Sequence, residues 1–131
     1  MQVCYETSWK KYEEELRNTL LGNIHEWSPF VSIDYFFDGL KNEKFYLIVC
    51  KDGEEVEAFV IYSIRAKYDL AIIWGGGKKI LKHVYSLDLL LRDIAERFGL
   101  KAIELTGQPA WERTLKSYGF QKTRVTMRKE L

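Results

Sequence analysis

Apolar residues recur at the spacing of amphipathic helices in several segments of the chain. In the clearest segment they alternate at steps of four and three: Ile80, Val84, Leu87, Leu91, Ile94 and Phe98. Gly99 follows at the position where a left-handed residue commonly ends a helix, and Leu100 is the apolar residue after it. The pattern predicts a long helix that packs on the core through this stripe.

Three shorter helices are also predicted. In each, a residue that favours a helix end stands beside a segment with an apolar face. The first helix begins after Ser8 and is followed by a loop over 22–29. Ser32 caps the second helix. Pro109 suits the first turn of the last helix, and Gly119 ends it.

Strands are predicted where apolar residues alternate or run together. Six segments share this property: 1–6, 45–50, 56–64, 70–74, 101–106 and 120–131. Asp52-Gly53 is typical of a tight hairpin turn. The order β-α-α-β-β-β-α-β-α-β predicts an α/β fold with a mixed central sheet of about six strands and about four helices.

Length and charge narrow the class of protein. The 131 residues predict a single domain over 1–131. The formal net charge of +1 argues against nucleic-acid binding by bulk charge. The sequence shows no apolar run long enough for a membrane span and no secretory signal, so a cytoplasmic protein without membrane contact is expected. Aromatic residues reach 15%, which suits a packed sheet or an apolar surface for a protein partner.

The spacing of cysteine and histidine along the sequence does not indicate a disulfide framework or a metal site. Cys4 and Cys50 are too few and too far apart along the chain for a disulfide framework or a zinc site. We expect them to be reduced, as small buried hydrophobes, with a redox pair as the alternative. Neither His25 nor His83 has a ligand at metal-site spacing, so no metal is predicted, and His83 is expected at the surface or at the boundary of the core.

The last third of the chain has a characteristic amino-acid sequence. The strand Ile103-Glu104-Leu105 is followed, over residues 108–120, by Gln-Pro-Ala-Trp-Glu-Arg-Thr-Leu-Lys-Ser-Tyr-Gly-Phe. With the order of elements, this resembles the GNAT superfamily of N-acetyltransferases, and in particular GNAT-like proteins of tailed phages, including internal virion proteins. The resemblance implies a three-layer fold, a sheet that splays between 70–74 and 101–106, and acetyl-CoA as the cofactor of an active member.

In that family a glycine-containing turn at the start of the third helix binds the pyrophosphate of the cofactor. Alignment on Gly99 places the turn at 79–84, where Lys82 and Val84 fill its two small positions. The glycine run upstream could supply an anion site in a shifted register, with the preceding strand end holding the pantetheine. This register makes the candidate cofactor-binding residues Ile73, Trp74, Gly75, Gly76, Gly77, Lys78 and Lys79.

The family's tyrosine in the last helix, often the acid that protonates the departing thiolate, falls on Leu115, which has no proton to donate. The remaining candidate catalytic residues are Glu57, Glu104 and Tyr118. Each has a structural alternative: an exposed strand position or a lysine partner for the two carboxylates, and a core contact for the tyrosine.

Two functions are consistent with these differences from the family's cofactor turn and tyrosine. The first is a non-catalytic GNAT-fold protein of phage type that contacts a virion or host protein, for example through Trp9, Trp27, Phe30 and Phe37. The alternative is an active acetyl-CoA-dependent N-acetyltransferase with an atypical cofactor turn. The filled cofactor positions and the missing tyrosine favour the first, and whether the chain is an enzyme stays open.

Overall fold

The computed structural model describes residues 1–27, 32–66, 68–106, 109–123, 127 and 129–131. The strands in this part of the chain are β1 Gln2–Thr7, β2 Tyr46–Asp52, β3 Glu55–Arg65, β4 Asp69–Gly76 and β5 Ala102–Leu105. The helices are α1 Glu13–Trp27, α2 Ile33–Lys41, α3 Val84–Arg97 and α4 Pro109–Lys116. Short 3-10 turns, Trp9–Tyr12 and Ile80–His83, lead into α1 and α3. No helix among these residues is long and apolar enough to cross a membrane.

The strands form one mixed sheet in the order β1-β2-β3-β4-β5. The first four strands are antiparallel, and β4 pairs with β5 in parallel. The α/β class is confirmed, but the predicted sheet of about six strands is wrong: the sheet has five strands in the part of the chain described above. The segment predicted as a closing strand, 120–131, forms no strand over 120–123, 127 and 129–131, and its other residues lie outside the described part.

The helix ends follow the predicted signals at most places. Ser32 accepts a hydrogen bond from the backbone N–H of Tyr35, and Gly99 adopts a φ of +67° at the end of α3. The loop predicted over 22–29 is wrong as far as Trp27, because α1 continues to that residue. A glycine inside a helix lowers its stability by only about 1 kcal/mol relative to alanine, which the rest of α1 can offset. The space around Gly22 is open.

Helices cover both faces of the sheet, which confirms the three layers. On one face α1 and α2 bury Leu16, Leu20, Phe36, Phe37 and Leu40 against Val49, Phe59 and Trp74. On the other, α3 buries Leu87, Leu91 and Ile94 against Ile48, Val60, Tyr62 and Leu70. Phe98, the last residue of the predicted stripe, is exposed.

Two of the aromatic residues considered for a partner surface belong to the core on the α1–α2 face. Phe37 is buried, and the ring of Trp9 packs edge-on against it at 6.0 Å between centroids. The side chain of Trp27 and the whole of Phe30 lie outside the described part.

Pairing between the two parallel strands stops before the end of β4, and the predicted splay beyond that point stays a prediction. Pairing runs from Asp69–Ala102 to Ile72–Leu105, whereas β4 continues to Gly76 beside β3 alone. A β-bulge marks the same point: Ile61 pairs with Trp74 and Tyr62 with Ile72, which leaves Ile73 as the extra residue. β5 therefore ends at its last pair with β4, while β4 runs on beside β3; this point is called the parting of β4 and β5 below.

Candidate functional site

An apolar cavity of about 50 Å³ lies where β4 and β5 part. Space of this size holds a few water molecules and is small beside the roughly 300–1,000 Å³ of typical ligand pockets. The lining includes Ile72, Gly75, Val84, Leu87, Asp88, Leu105, Trp111, Leu115 and Tyr118.

Tyr118 reaches this cavity because α4 ends before it. The helix stops at Lys116, and the next turn returns the chain, with the N–H groups of Tyr118 and Phe120 both donating to the carbonyl of Leu115. Leu115 and Tyr118 therefore line the same cavity, although their spacing along a continuous helix would make the tyrosine a poor substitute for Leu115. Tyr118 is thus a lining residue whose side chain carries a hydroxyl, a group that can donate a proton.

Asp88 is a second polar residue of the lining, and the sequence analysis missed it. Its carboxylate is largely buried and lies 3.7 Å from Arg92 of the next turn. The helical spacing of Val84, Asp88 and Leu91 could have shown that an acidic side chain interrupts the apolar face of α3.

The glycine run packs tightly inside the protein. A Cβ on Gly76 would lie 2.4 Å from the ring of Trp74, and one on Gly77 would lie 2.4 Å from the carbonyl oxygen of Glu57. Gly77 also has a φ of +131°, which side chains rarely adopt. The glycines let the end of β4 approach β3 and Trp74, so this packing alone accounts for the requirement for glycine at Gly76 and Gly77.

The remaining candidate cofactor residues face different surroundings. Gly75 lines the cavity, whereas Trp74 is buried in the core on the opposite face of the sheet. Ile73 is half-buried at the bulge, and Lys78 is exposed. The structure thus brings one residue of this set, Gly75, to the cavity wall, and the cofactor role of the set stays a prediction.

Glu57 is the centre of a buried ionic cluster. Its side chain is 1% exposed, and it accepts from Lys79 and Lys82, each at 3.1 Å between Nζ and the carboxylate, and from His83 Nε2 at 2.9 Å. The hydrogen bond from His83, with those from Lys82 and Lys79, outweighs burial and lowers the pKa of Glu57 to about 2. Glu57 is therefore a poor proton acceptor near neutral pH.

Lys82 also binds Asp52 at 2.8 Å, so two carboxylates already hold the ammonium that fills the family's small position. The hydrogen bond from Lys82 lowers the pKa of Asp52. Neither Lys79 nor His83, which precede the 3-10 turn and α3, caps the backbone with its side chain. The start of α3 therefore lacks a side-chain cap, and the N–H of Val84 donates instead to the carbonyl of Leu81 in the 3-10 turn.

His83 is fully buried, not at the surface or at the boundary of the core as expected. Its Nδ1 lies 3.7 Å from Cys4 Sγ, and Cys4 Sγ lies 2.7 Å from Cys50 Sγ. Separation along the chain was the wrong criterion for the cysteines, because β1 and β2 pair with Cys4 directly opposite Cys50.

Glu104 lies on β5, 3.2 Å from the guanidinium of Arg65. Arg65 also binds Asp69 through two hydrogen bonds, at 2.9 and 2.6 Å. These bonds, the pair with Asp69 first and then that with Glu104, raise the pKa of Arg65. Glu104 therefore takes part in an ionic group that joins β3, β4 and β5, and its catalytic role stays a prediction.

Comparison with solved structures identifies the fold. No protein-family model and no curated protein matches the chain. It is similar to AAC(6')-Iy in complex with the bisubstrate analogue CoA-S-monomethyl-acetylneamine, at 14% identity and a TM-score of 0.69, over 100% of this chain and 99% of that one. It is similar to a predicted acetyltransferase from Clostridium acetobutylicum with acetyl-CoA, at 17% identity and a TM-score of 0.70, over 99% and 96%.

A third similar structure is glucosamine-6-phosphate N-acetyltransferase from Arabidopsis thaliana, at 12% identity and a TM-score of 0.70, over 99% of this chain and 98% of that one. The chain therefore has the fold of the GNAT acetyltransferases. The specific resemblance to phage proteins finds no support in these comparisons.

Proposed function

We propose that this chain is an acetyl-CoA-dependent N-acetyltransferase, the alternative that the sequence analysis ranked second. The observation that supports it most is the parting of β4 and β5 over an apolar cavity lined by Tyr118. Two of the similar structures are complexes with acetyl-CoA or a CoA-containing analogue. The non-catalytic phage role has no comparable support.

The cavity suits the thioester end of the cofactor. The bulge at Ile73 disrupts regular ladder pairing and can leave a backbone polar group free beside the cavity wall formed by Ile72 and Gly75. An extended amide chain can hydrogen-bond to such groups. The start of α3, without a side-chain cap, is close in sequence to Ile80 and Val84 of the same wall and favours the negative charge of a pyrophosphate.

In the transfer, the amine nitrogen attacks the acetyl carbonyl, the carbon–sulfur bond breaks, and the departing CoA thiolate takes up a proton. Tyr118 is our candidate donor of that proton, because Leu115 at the family's position has none. Glu57 does not fit the role of base, since three cations or donors already hold its carboxylate. The amine nitrogen loses one proton to solvent water and Tyr118 regains one from it, so the transfer balances.

Calorimetric titration with acetyl-CoA and CoA tests binding. We expect saturable binding of one molecule per chain. Leu115→Arg should abolish it by placing a charge in the cavity, whereas Leu89→Arg on the exposed side of α3 should not. Circular dichroism confirms that both variants are folded. If neither ligand binds, or Leu115→Arg binds as the parent does, the proposed site is wrong.

Turnover tests the role of Tyr118 separately. CoA release from acetyl-CoA is measured by chromatography with a panel of primary amines that includes glucosamine 6-phosphate. For any amine that is acetylated, Tyr118→Phe should lower kcat by about 10²-fold or more while acetyl-CoA binding stays within about threefold. An unchanged kcat would exclude Tyr118 as the proton donor. Binding without turnover on any amine would favour the non-catalytic reading.

A further inference from the structure

Cys4 and Cys50 form a facing pair across the ladder between β1 and β2. Their Sγ atoms are 2.7 Å apart, within about 0.7 Å of the length of a disulfide bond. Cys50 is buried, and Cys4 is half-buried. Because the sequence contains two cysteines, the fold gathers its whole thiol content at this point.

His83 places a proton acceptor beside the more accessible of the two thiols. A carboxylate can only accept, so the 2.9 Å contact with Glu57 Oε1 requires that His83 Nε2 carries the proton. In the neutral ring Nδ1 then keeps its lone pair, and this nitrogen lies 3.7 Å from Cys4 Sγ. Glu57 therefore fixes the tautomer that lets His83 accept from Cys4.

We propose that Cys4 and Cys50 are an oxidative modification site, at which a small disulfide such as oxidised glutathione converts the two thiols into a disulfide that joins β1 to β2. The inference does not depend on the proposed acetyl transfer.

The exchange proceeds in two balanced steps. Cys4 Sγ transfers its proton to His83 Nδ1 and attacks one sulfur of oxidised glutathione; the glutathione S–S bond breaks, and the first glutathione leaves as a thiolate that regains the proton. Cys50 Sγ then attacks the Cys4 sulfur of the mixed disulfide, and the second glutathione leaves with the Cys50 proton. Two electrons pass from the protein thiols to the oxidant, which ends as two glutathione thiols.

The order of attack follows from the surroundings of each sulfur. The hydrogen bond with Cys50 lowers the pKa of the Cys4 thiol, against the effect of its partial burial. The same bond and burial raise the pKa of Cys50. Cys4 is thus both the more exposed sulfur and the readier thiolate, and Cys50 acts second.

A metal site is the competing use of these residues. Cys4, Cys50 and His83 offer ligand atoms within 4.8 Å of one another, and Glu57 would orient the histidine as a carboxylate does in many metal sites. Two thiolates on one tetrahedral zinc, each at about 2.3 Å, lie about 3.8 Å apart. The observed 2.7 Å is closer to a covalent S–S pair, so the geometry favours the disulfide.

The test equilibrates the folded protein in glutathione buffers of graded oxidised-to-reduced ratio. Samples are quenched in acid, alkylated with N-ethylmaleimide under denaturing conditions and weighed by intact mass spectrometry. We expect both thiols to disappear together, without an accumulated glutathione adduct. The equilibrium constant should exceed that of the same chain in guanidinium chloride by at least about tenfold, or about 30 mV, because the fold holds the sulfurs together. An equal or smaller constant in the folded chain would overturn the proposal.

Single variants check the order of the steps. Cys50→Ser should accumulate a glutathione adduct on Cys4, since no second thiol can release it. Cys4→Ser should leave the buried Cys50 unmodified over the same time. Glutathione on Cys50 at the rate seen for Cys4 would contradict the assignment of Cys4 as the attacking thiol.

Zinc addition separates the two uses of the site. Native mass spectrometry after exposure to Zn²⁺ should show no stoichiometric metal that protects the thiols from oxidised glutathione. One zinc per chain that blocks the oxidation until EDTA is added would overturn the disulfide in favour of a Cys-Cys-His metal site.

Discussion

Charged residues near the start of α3 are paired with one another around the buried carboxylate of Glu57. Glu57 is held by Lys79, Lys82 and His83, and Lys82 is shared with Asp52. A lysine partner of Glu57 was one of the predicted alternatives. The sequence does not identify which lysine, because the path of the 3-10 turn decides which lysines lie beside β3. The cluster fixes how the end of β3 meets the start of α3.

The lowered pKa of Glu57 predicts a specific loss of stability in acid. Its folded pKa, about 2, lies below the ordinary value of 4.5, so the carboxylate stabilises the fold fully above about pH 4.5 and ceases to do so as the pH falls towards 2. Glu57→Gln should be less stable than the parent at pH 6, and the difference should shrink steadily through that window. Denaturant midpoints at pH 6, 4.5, 3.5 and 2.5 measure it.

Glu54→Gln is the matched control, because the Glu54 side chain is fully exposed and lies 3.9 Å from Lys51. It should follow the parent at every pH. A difference between Glu57→Gln and the parent that stays constant down to pH 2.5 would contradict the ionic role of the cluster.

Helices and strands could be predicted where their own residues carry a clear pattern of apolar spacing or a clear end residue. The steps of four and three gave α3 and its buried face, and Gly99 gave its end: the N–H of Leu100 donates to the carbonyl of Ala95 and that of Gly99 to Glu96, as in a Schellman motif. The end of α1 was not predictable, since Gly22 signals a stop that the buried Leu16 and Leu20 outweigh. Alternation over 120–131 predicted a strand, but an alternating pattern cannot show that a neighbouring edge is available.

The buried face of α3 makes Leu91 the sensitive position of that helix. It is 4% exposed and borders the existing cavity, so Leu91→Ala would enlarge a void that the surroundings do not fill. We expect a loss of about 2–5 kcal/mol in the free energy of unfolding, measured by chemical denaturation. Leu89→Ala, on the exposed side of the same helix, should cost less than about 1 kcal/mol. Similar losses for both would mean that α3 packs through a different face.

At the scale of the whole molecule, the order and kind of elements could be predicted as far as α4, but the contacts between distant elements could not. The mixed sheet, its three layers and the parting of β4 from β5 follow from the sequence and the family resemblance. The approach of Cys4 to Cys50, the burial of His83 and the turn that brings Tyr118 to the cavity depend on strand register and loop path, which no local pattern encodes. The candidate site was therefore located by its elements and only partly by its residues.

The strand order, which repeats the order along the chain, has a consequence for the kinetics of folding. β2 and β3 are joined by a tight turn and β4 follows directly, so these three strands can pair by local zipping. β1 must instead close a loop that contains α1 and α2, because Cys4 and Cys50 are 46 positions apart along the chain. The chain loses the entropy of that closure before contacts between β1 and β2 compensate for it. We therefore expect the β2–β3–β4 meander to form early and the amino-terminal strand to dock late.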